Sequence, residues 1–176
     1  ALGFGVKTDA TIKRWSHISY VSSCYADISF HSQWYFSPWN GPVTVTPQCY
    51  LRMLLGGYHV SQSNYAGNDY VGRYVSQQLP FVGLDDPLIL EDGAMVLRCD
   101  LRWNVKGNHY ISAIVNFLRS QELRHFVSNR PNPFDGCWGV ALQYGIKSPI
   151  GPISVDLHWS DITNKVGVYF NLGYVF

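Results

Sequence analysis

Charged side chains are the first candidates for chemistry in this chain, and several of them share one face of an extended segment. Residues 95–104 alternate, with Met95, Leu97, Cys99, Leu101 and Trp103 on one face and Val96, Arg98, Asp100 and Arg102 on the other. Successive side chains of a strand point to opposite faces, so Arg98, Asp100 and Arg102 fall on the same face. Charges on such a face need water or each other as partners. Contact with water and ion pairs are therefore both open for these charges, with Arg52 of another segment as a further candidate partner.

Motifs for catalysis and metal binding do not occur. The chain has no G-x-S-x-G elbow, the turn that carries a hydrolase serine. Its histidines lack the spacing of zinc ligands, and His31 and His158 are expected on a polar, inward face. The acidic pairs at 85–86 and 91–92 are expected to be solvated, with a divalent-ion site as the alternative. We expect no catalytic residue, no cofactor and no metal in this chain.

The cysteines indicate free thiols. Cys24, Cys49, Cys99 and Cys137 have neither metal-site spacing nor a tight disulfide pattern. A hairpin that turns near residue 40 would pair position 24 with about position 56. Cys24 and Cys49 would then be out of register for a disulfide.

Composition restricts the class of protein. The chain has 176 residues, of which 47% are hydrophobic, 15% aromatic and only 14% charged, so it must bury apolar surface somewhere. The formal net charge of +1 argues against a nucleic-acid partner. No apolar run is long enough for a transmembrane helix. No signal peptide precedes the strand-like opening, so we expect a mature chain or a piece of a longer one.

The C-terminal segment carries the strongest pattern. Residues 166–176 alternate to the last position, with an apolar face that ends on aromatic residues. Outer-membrane barrels end this way because their outward face contacts lipid and aromatic side chains favour the interface. The sequence therefore predicts an all-β, antiparallel transmembrane barrel as a single domain over 1–176.

Eight strand segments are predicted from the alternation. They are 1–12, 18–36, 43–60, 95–104, 109–118, 138–146, 153–159 and 166–176. Connections near 40, 106 and 148 are short, whereas those at 61–92 and 119–135 are long. Outer-membrane barrels have short periplasmic turns and longer extracellular loops. The long connection 61–92 is therefore expected on the extracellular side.

Three stretches resemble a known family. They are GRYVSQQLPFVG (72–83), WGVALQYGIKSPI (138–150) and GPISVDLHWSDITNKVGVYFNLGYVF (151–176). They resemble the barrel of the bacterial surface antigen superfamily, which includes barrel-assembly factors and two-partner-secretion translocators. The most similar branch fuses this barrel to a patatin-like phospholipase.

The resemblance implies a loop that enters the lumen. Barrels of this superfamily have sixteen strands, and an Arg-Gly-aromatic loop folds inward ahead of the last five. By this resemblance Arg73 and Tyr74 would form a loop-to-lumen lock with Asp100 as first partner and Asp156 as second. The alternative is a solvated Arg73, with Asp100 satisfied by Arg98, Arg102 or Arg52. The chain would then be half of a sixteen-stranded barrel, unless its eight strands close on themselves.

The resemblance also places an assembly signal in the last strand. It would comprise Tyr169, Asn171, Tyr174 and Phe176, although Asn171 stands where Gly is expected. The barrel-assembly machinery would be its partner. Plain anchoring of the aromatic residues at the membrane interface is a compatible role.

The predicted function is to anchor or translocate a passenger in the bacterial outer membrane, with the lipid bilayer as partner. The passenger would be a patatin-like phospholipase domain outside this segment. One alternative is a self-closed, eight-stranded structural or adhesive surface barrel. The other is a soluble β-sandwich binding module. That module would bury in its core the face formed by Leu97, Leu101, Trp138, Leu157 and Phe170.

Overall fold

The computed structural model describes residues 3–15, 25–38, 41–56, 63–67, 77–105, 107–121, 136–149 and 151–173. Among these residues, no helix is long and apolar enough to span a membrane. The strands within the described ranges are β1 (Gly3–Trp15), β2 (Tyr25–Ser37), β3 (Val43–Gly56), β4 (Asn64–Ala66), β5 (Gln78–Leu79), β6 (Leu88–Leu90), β7 (Gly93–Asn104), β8 (His109–Gln121), β9 (Cys137–Ser148), β10 (Gly151–Ser160) and β11 (Val166–Leu172).

The long strands form one antiparallel sheet of eight strands. Its order is β1-β2-β3-β7-β8-β9-β10-β11, so each strand pairs with the next long strand along the chain. This meander confirms the predicted all-β antiparallel fold and the number of long strands. The sheet is open, because β1 and β11 are not paired with each other in the described residues. The self-closed barrel is therefore not the arrangement observed.

Connection lengths separate the two ends of the sheet. At one end, the short-turn end, tight connections join β2 to β3, β7 to β8 and β9 to β10. At the other, the long-loop end, residues 57–92 separate β3 from β7, and residues 122–136 separate β8 from β9. The connection 161–165 is also at the long-loop end, although it is short. The predicted asymmetry of connection lengths is confirmed.

The outward face of the sheet is apolar and exposed. Its members Leu97, Leu101, Trp138, Leu157 and Phe170 are between 43% and 63% exposed. A soluble sandwich would bury this face against a second sheet. The β-sandwich alternative is therefore wrong, because no second sheet covers these side chains in the described part of the chain.

The inward face carries small and polar residues, and it is buried. In β9 the buried positions are Gly139, Ala141, Gln143 and Gly145, which alternate with exposed Trp138, Val140, Leu142 and Tyr144. The long connection between β3 and β7 covers this face. No strand was predicted in this connection, but it contains a small three-stranded sheet of order β5-β4-β6. Parallel pairing of β4 with β5 joins segments with no local hairpin signal, which explains why the strands were missed.

The cysteines agree with the prediction where they are described. Cys49, Cys99 and Cys137 are free thiols. Tyr25 pairs with Gly56, close to the register predicted for the first hairpin, and Cys49 lies opposite Ser32. Cys24 lies outside the described residues.

Candidate functional site

Residues 79–85 belong to the connection between β3 and β7 and are called the inserted segment here. They lie on the inward surface of β8 to β11. The inserted segment and this surface together form the candidate functional site. Six of its members, Leu79, Pro80, Phe81, Val82, Gly83 and Leu84, are buried. Phe81 is fully buried and belongs to an apolar cluster with Tyr50, Val96, Leu118 and Cys137 of the main sheet. The main apolar core of the described residues thus lies between a loop and one sheet.

Small residues allow the inserted segment to approach the strands. A Cβ added to Gly139 would overlap the backbone oxygen of Val82 and crowd Asn116 Nδ2. Gly83 has φ +107, a conformation that favours glycine, and a Cβ there would lie 2.6 Å from Ser160 Cβ. Backbone-to-backbone approach at Gly139 and Gly83 therefore requires glycine.

Asn116 binds the inserted segment through its side-chain amide. The Val82 N–H donates to Asn116 Oδ1 at 2.9 Å, and Asn116 Nδ2 donates to the Val82 oxygen at 3.4 Å. Asn116 is 1% exposed, so the pair lies away from water. The amide therefore gives a hydrogen-bond partner to both the N–H and the C=O of Val82, a residue that lies outside the strands.

Hydroxyl groups hold the next peptide. Ser160 Oγ donates to the Gly83 oxygen at 2.7 Å, and Thr163 Oγ1 donates to the same oxygen at 3.4 Å. Ser160 ends β10, so the inserted segment is fixed to the long-loop end of the sheet. The backbone N–H of Glu91 also donates to Ser120 Oγ at 2.8 Å, which ties the end of the loop to β8.

His158 contacts the inserted segment at its last residue. His158 Nε2 lies 3.2 Å from Asp85 Oδ1, and the His158 side chain is buried whereas Asp85 is exposed. The His158 ring also packs against Tyr169 of β11, with ring centroids 4.0 Å apart. As predicted, His158 faces inward. Its ring therefore contacts both the loop and the last strand.

The carboxylates predicted for the lock face inward and have partners on the strands. Asp100 accepts hydrogen bonds from Arg98 Nε at 2.6 Å and from Gln48 Nε2 at 3.0 Å. Asp156 is 1% exposed, and its Oδ2 accepts a hydrogen bond from Asn171 Nδ2 at 3.0 Å. Arg73 and Tyr74 lie outside the described residues, so the lock remains a prediction.

The other inward arginines bind elsewhere. Arg52 forms a bidentate pair with Asp27, at 3.0 and 2.6 Å. Arg102 donates to Ser112 Oγ at 3.2 Å and lies over the Tyr110 ring at 4.6 Å. Of the arginines considered as partners of Asp100, Arg98 makes this contact.

The predicted assembly signal is described in part. Tyr169 and Asn171 face inward on β11, whereas Val166, Val168, Phe170 and Leu172 face outward and are exposed. Asn171 donates to Asp156, which gives a physical reason for an amide at a position where Gly was expected. Tyr174 and Phe176 lie outside the described residues, and the signal itself remains a prediction.

Sequence reasoning missed the residues that hold the inserted segment. Asn116 and Ser160 look like ordinary inward polar residues until the loop lies against them. One signal was available: β9 places Gly139, Ala141 and Gly145 inward opposite large outward residues, which leaves room inside the sheet.

Comparison with known proteins agrees with the geometry. No curated protein matches the chain significantly. A family model described as the OMP85 superfamily matches residues 40–176, which include β3 to β11 and the inserted segment. This match confirms the predicted superfamily. Because it covers most of the chain, this protein belongs to the OMP85 superfamily of bacterial outer-membrane β-barrels.

Proposed function

We propose that this chain is the bilayer-spanning part of a barrel that anchors or translocates a passenger, a patatin-like phospholipase domain outside this segment. The exposed apolar outward face is the observation that carries the proposal. Side chains such as Leu142 and Leu157 are more than half exposed in the chain alone, at 56% and 51%. Acyl chains would cover them without any second protein surface.

Strand length supports a position across the bilayer. The outward row of β9 runs from Trp138 to Ile146. With a rise of about 3.3 Å per residue and a tilt of about 40°, such a row spans roughly 20 Å along the membrane normal. This height approaches the apolar band of about 25 Å that outer-membrane barrels present to lipid.

Aromatic residues lie near both ends of the outward face. Trp103 and Tyr144 are exposed near the short-turn end, and His109 Nδ1 lies 2.7 Å from the Tyr144 hydroxyl. Phe117 and Trp138 pack together near the long-loop end, with ring centroids 4.8 Å apart. Aromatic girdles at both interfaces are typical of transmembrane barrels.

The open edges support a larger barrel. Within the described residues, neither β1 nor β11 has a partner on its outer edge. Unpaired backbone groups in hydrocarbon are very costly, so further strands would have to complete the barrel. We propose that these strands belong to the rest of the barrel, and that the barrel-assembly machinery recognises β11 through the C-terminal signal.

The enzymatic activity would belong to the passenger. The support is the missing serine elbow in this segment together with the resemblance of 72–83 to patatin-fused barrels. The inserted segment would then keep the lumen filled while the passenger is held at the membrane.

Expression of the full-length protein in a bacterial host tests this proposal. Outer-membrane fractions would be assayed for hydrolysis of a fluorescent phosphatidylethanolamine, for wild type and for Leu157→Arg. The arginine would destabilise the inserted barrel, so the membrane fraction should contain less hydrolase activity than for wild type. Leu157→Ala is the matched control, because it changes the same position without a charge.

Two outcomes would contradict the proposal. Hydrolase activity that stays in the outer membrane when the barrel does not insert would show that something else anchors the enzyme. A full-length protein without any phospholipid hydrolysis would exclude the patatin passenger.

A further inference from the structure

A polar cavity, the short-turn cavity, opens on the inward face of the sheet at the short-turn end. Its volume is about 290 Å³. Each side chain in its lining carries a polar or charged group, and the lining includes Gln33, Thr44, Arg102, Asn104 and Lys147. The inserted segment is fixed to the opposite end of the sheet and contributes no residue to this lining. The cavity is therefore a second inward surface, separate from the candidate site described above.

Arg102 is fixed in the short-turn cavity by residues of the two neighbouring strands. The Tyr110 ring lies against Gly145, where a Cβ would overlap it. Arg102 Cζ lies 4.6 Å from the centroid of the same ring, and Arg102 Nε donates to Ser112 Oγ at 3.2 Å. The ring and the hydroxyl thus orient the guanidinium, while its two terminal amino groups are left for another partner.

The short-turn cavity has an excess of positive charge. Lys147 is exposed and lies on the same face of β9 as Gly145, two residues further towards the short-turn end. Asp100 is also in the lining, but Arg98 Nε and Nη2 donate to its two oxygens at 2.6 and 3.1 Å and neutralise its charge. In the part of the chain that the structure describes, no carboxylate contacts Arg102 or Lys147. Two cations without an anion indicate a site for an anionic group.

The uncharged part of the lining favours a peptide as the carrier of that anionic group. The hydroxyl of Thr44 and the amides of Gln33 and Asn104 can both donate and accept hydrogen bonds. A peptide backbone offers both kinds of group, whereas a free phosphate offers mainly acceptors. Lipids and most small organic ligands need apolar walls, which this lining does not provide. A short stretch of extended chain fits the size of the cavity, and a folded domain does not.

We infer that the short-turn cavity binds a carboxylate side chain of an extended, acidic polypeptide segment outside residues 1–176. Arg102 would bind the carboxylate with two parallel hydrogen bonds, and Lys147 would add a second positive charge. This inference rests on the proposed function, because the short-turn end then faces the periplasm and a passenger. The segment belongs either to the passenger in the same chain or to a separate polypeptide, and the experiment distinguishes the two.

Zero-length cross-linking of the full-length protein tests the inference. The protein would be reconstituted into phosphatidylcholine nanodiscs and treated with a water-soluble carbodiimide, which joins a carboxylate to an amine in contact with it. Mass spectrometry of the digest would identify the carboxylate joined to Lys147. A link to the passenger region without added peptide identifies the same chain as the source. A link that forms only with an added biotinylated peptide of alternating glycine and glutamate identifies a separate polypeptide.

Two variants of Arg102 and one internal control make the result specific. Arg102→Gln should reduce the Lys147 link about tenfold, as expected for loss of a charge-assisted contact with a carboxylate. Arg102→Lys keeps the charge without the planar fork and should reduce the link by a smaller factor. This variant also serves as the test if Arg102→Gln does not fold. Lys165, an exposed amine at the long-loop end, should give the same links in all three proteins.

The absence of a Lys147 link above the level of Lys165 would overturn the inference, as would a link to a carboxylate within residues 1–176. Equal linking in wild type and both Arg102 variants would also overturn it. If wild type inserts normally, as judged by heat-dependent gel migration, these results leave the proposed function intact. Failure of wild type to insert would instead overturn both.

Discussion

The two faces of β9 differ in a way that inverts the usual pattern of a soluble protein. Outward positions hold large apolar residues, of which Trp138 and Leu142 are more than half exposed. Inward positions hold Gly139, Ala141 and Gly145, and all three are buried. In a soluble sheet the large apolar residues would face the core. The outward face is therefore suited to an apolar surrounding. The inward residues are small because the backbone of the inserted segment lies against them.

The inward face requires particular residues, whereas the outward face requires only apolar ones. Lipid contact requires only apolar side chains, so many residues would serve at Leu157 or Phe170. The inward surface must match a particular loop, with glycines at Gly139 and Gly83 and an amide at Asn116. Substitutions should therefore act through charge and depth on one face, and through shape and hydrogen bonds on the other.

The largest effect is expected on the outward face. Leu157→Arg should destabilise the inserted barrel by about 2–4 kcal/mol, because arginine at the bilayer midplane is costly. Ile153→Arg, on the same face of β10 but nearer the short-turn end, should cost only about 0–1 kcal/mol. Urea titration of the protein in lipid vesicles measures both. Equal costs at the two positions would contradict lipid contact of this face.

Two inward glycines test whether the inward face depends on the shape of its residues. Gly139→Ala should cost about 1–3 kcal/mol and displace the inserted segment, since the new methyl group overlaps the Val82 backbone. Gly145→Ala is the control, because the atoms nearest to its Cβ belong to the Tyr110 ring of the main sheet and not to the inserted segment. Protease cleavage between residues 77 and 92 should increase in Gly139→Ala alone. Equal cleavage in both variants would show that the segment does not depend on Gly139.

Removal of the amide at position 116 should have an effect of similar or smaller size. Asn116→Ala leaves the Val82 N–H and oxygen buried without their partner, which should cost about 1–3 kcal/mol. Asn104→Ala removes an exposed amide that donates to the Pro42 oxygen, and it should stay within about 0.5 kcal/mol of wild type. Urea titration measures the stability of both variants. If Asn116→Ala is as stable as wild type, this amide does not hold the inserted segment.

The smallest effect is expected at Asp85. The His158–Asp85 contact joins a buried ring to an exposed carboxylate, and water screens such a pair. Asp85→Asn should change stability by less than about 1 kcal/mol. A larger loss of stability in the same urea titration would show that this contact holds the inserted segment, and not the hydrogen bonds of Asn116 and Ser160 to the Val82 and Gly83 backbone.

Strand positions and facing could be predicted from the sequence because the side-chain period of a strand is local. The alternation in 95–104, 138–146 and 153–159 gave both the strands and their outward faces correctly. The contacts of the inserted segment could not be predicted in the same way. Asn116 binds Val82 across a separation of 34 residues, and no local pattern specifies which peptide an inward amide will meet.

The lock predicted from the family resemblance was informative in a different way. It placed Asp100 and Asp156 inward, and both face the interior of the sheet. Arg98 was stated as an alternative partner of Asp100 and does bind it, whereas the contact of Asn171 with Asp156 was not foreseen. The Asn171–Asp156 contact depends on cross-strand register, which the alternation of a single strand does not reveal.

Spin labels at the neighbouring residues Leu142 and Gln143 test directly whether the outward face of the sheet contacts lipid. Each would be introduced as a cysteine into full-length protein without native cysteines, reconstituted in phosphatidylcholine vesicles. If the outward face contacts lipid, the label at 142 will be accessible to oxygen dissolved in lipid and shielded from a water-soluble nickel complex, whereas the label at 143 will be shielded from lipid. A label at 142 that is packed in protein, in a molecule that stays monodisperse in plain buffer, would contradict it.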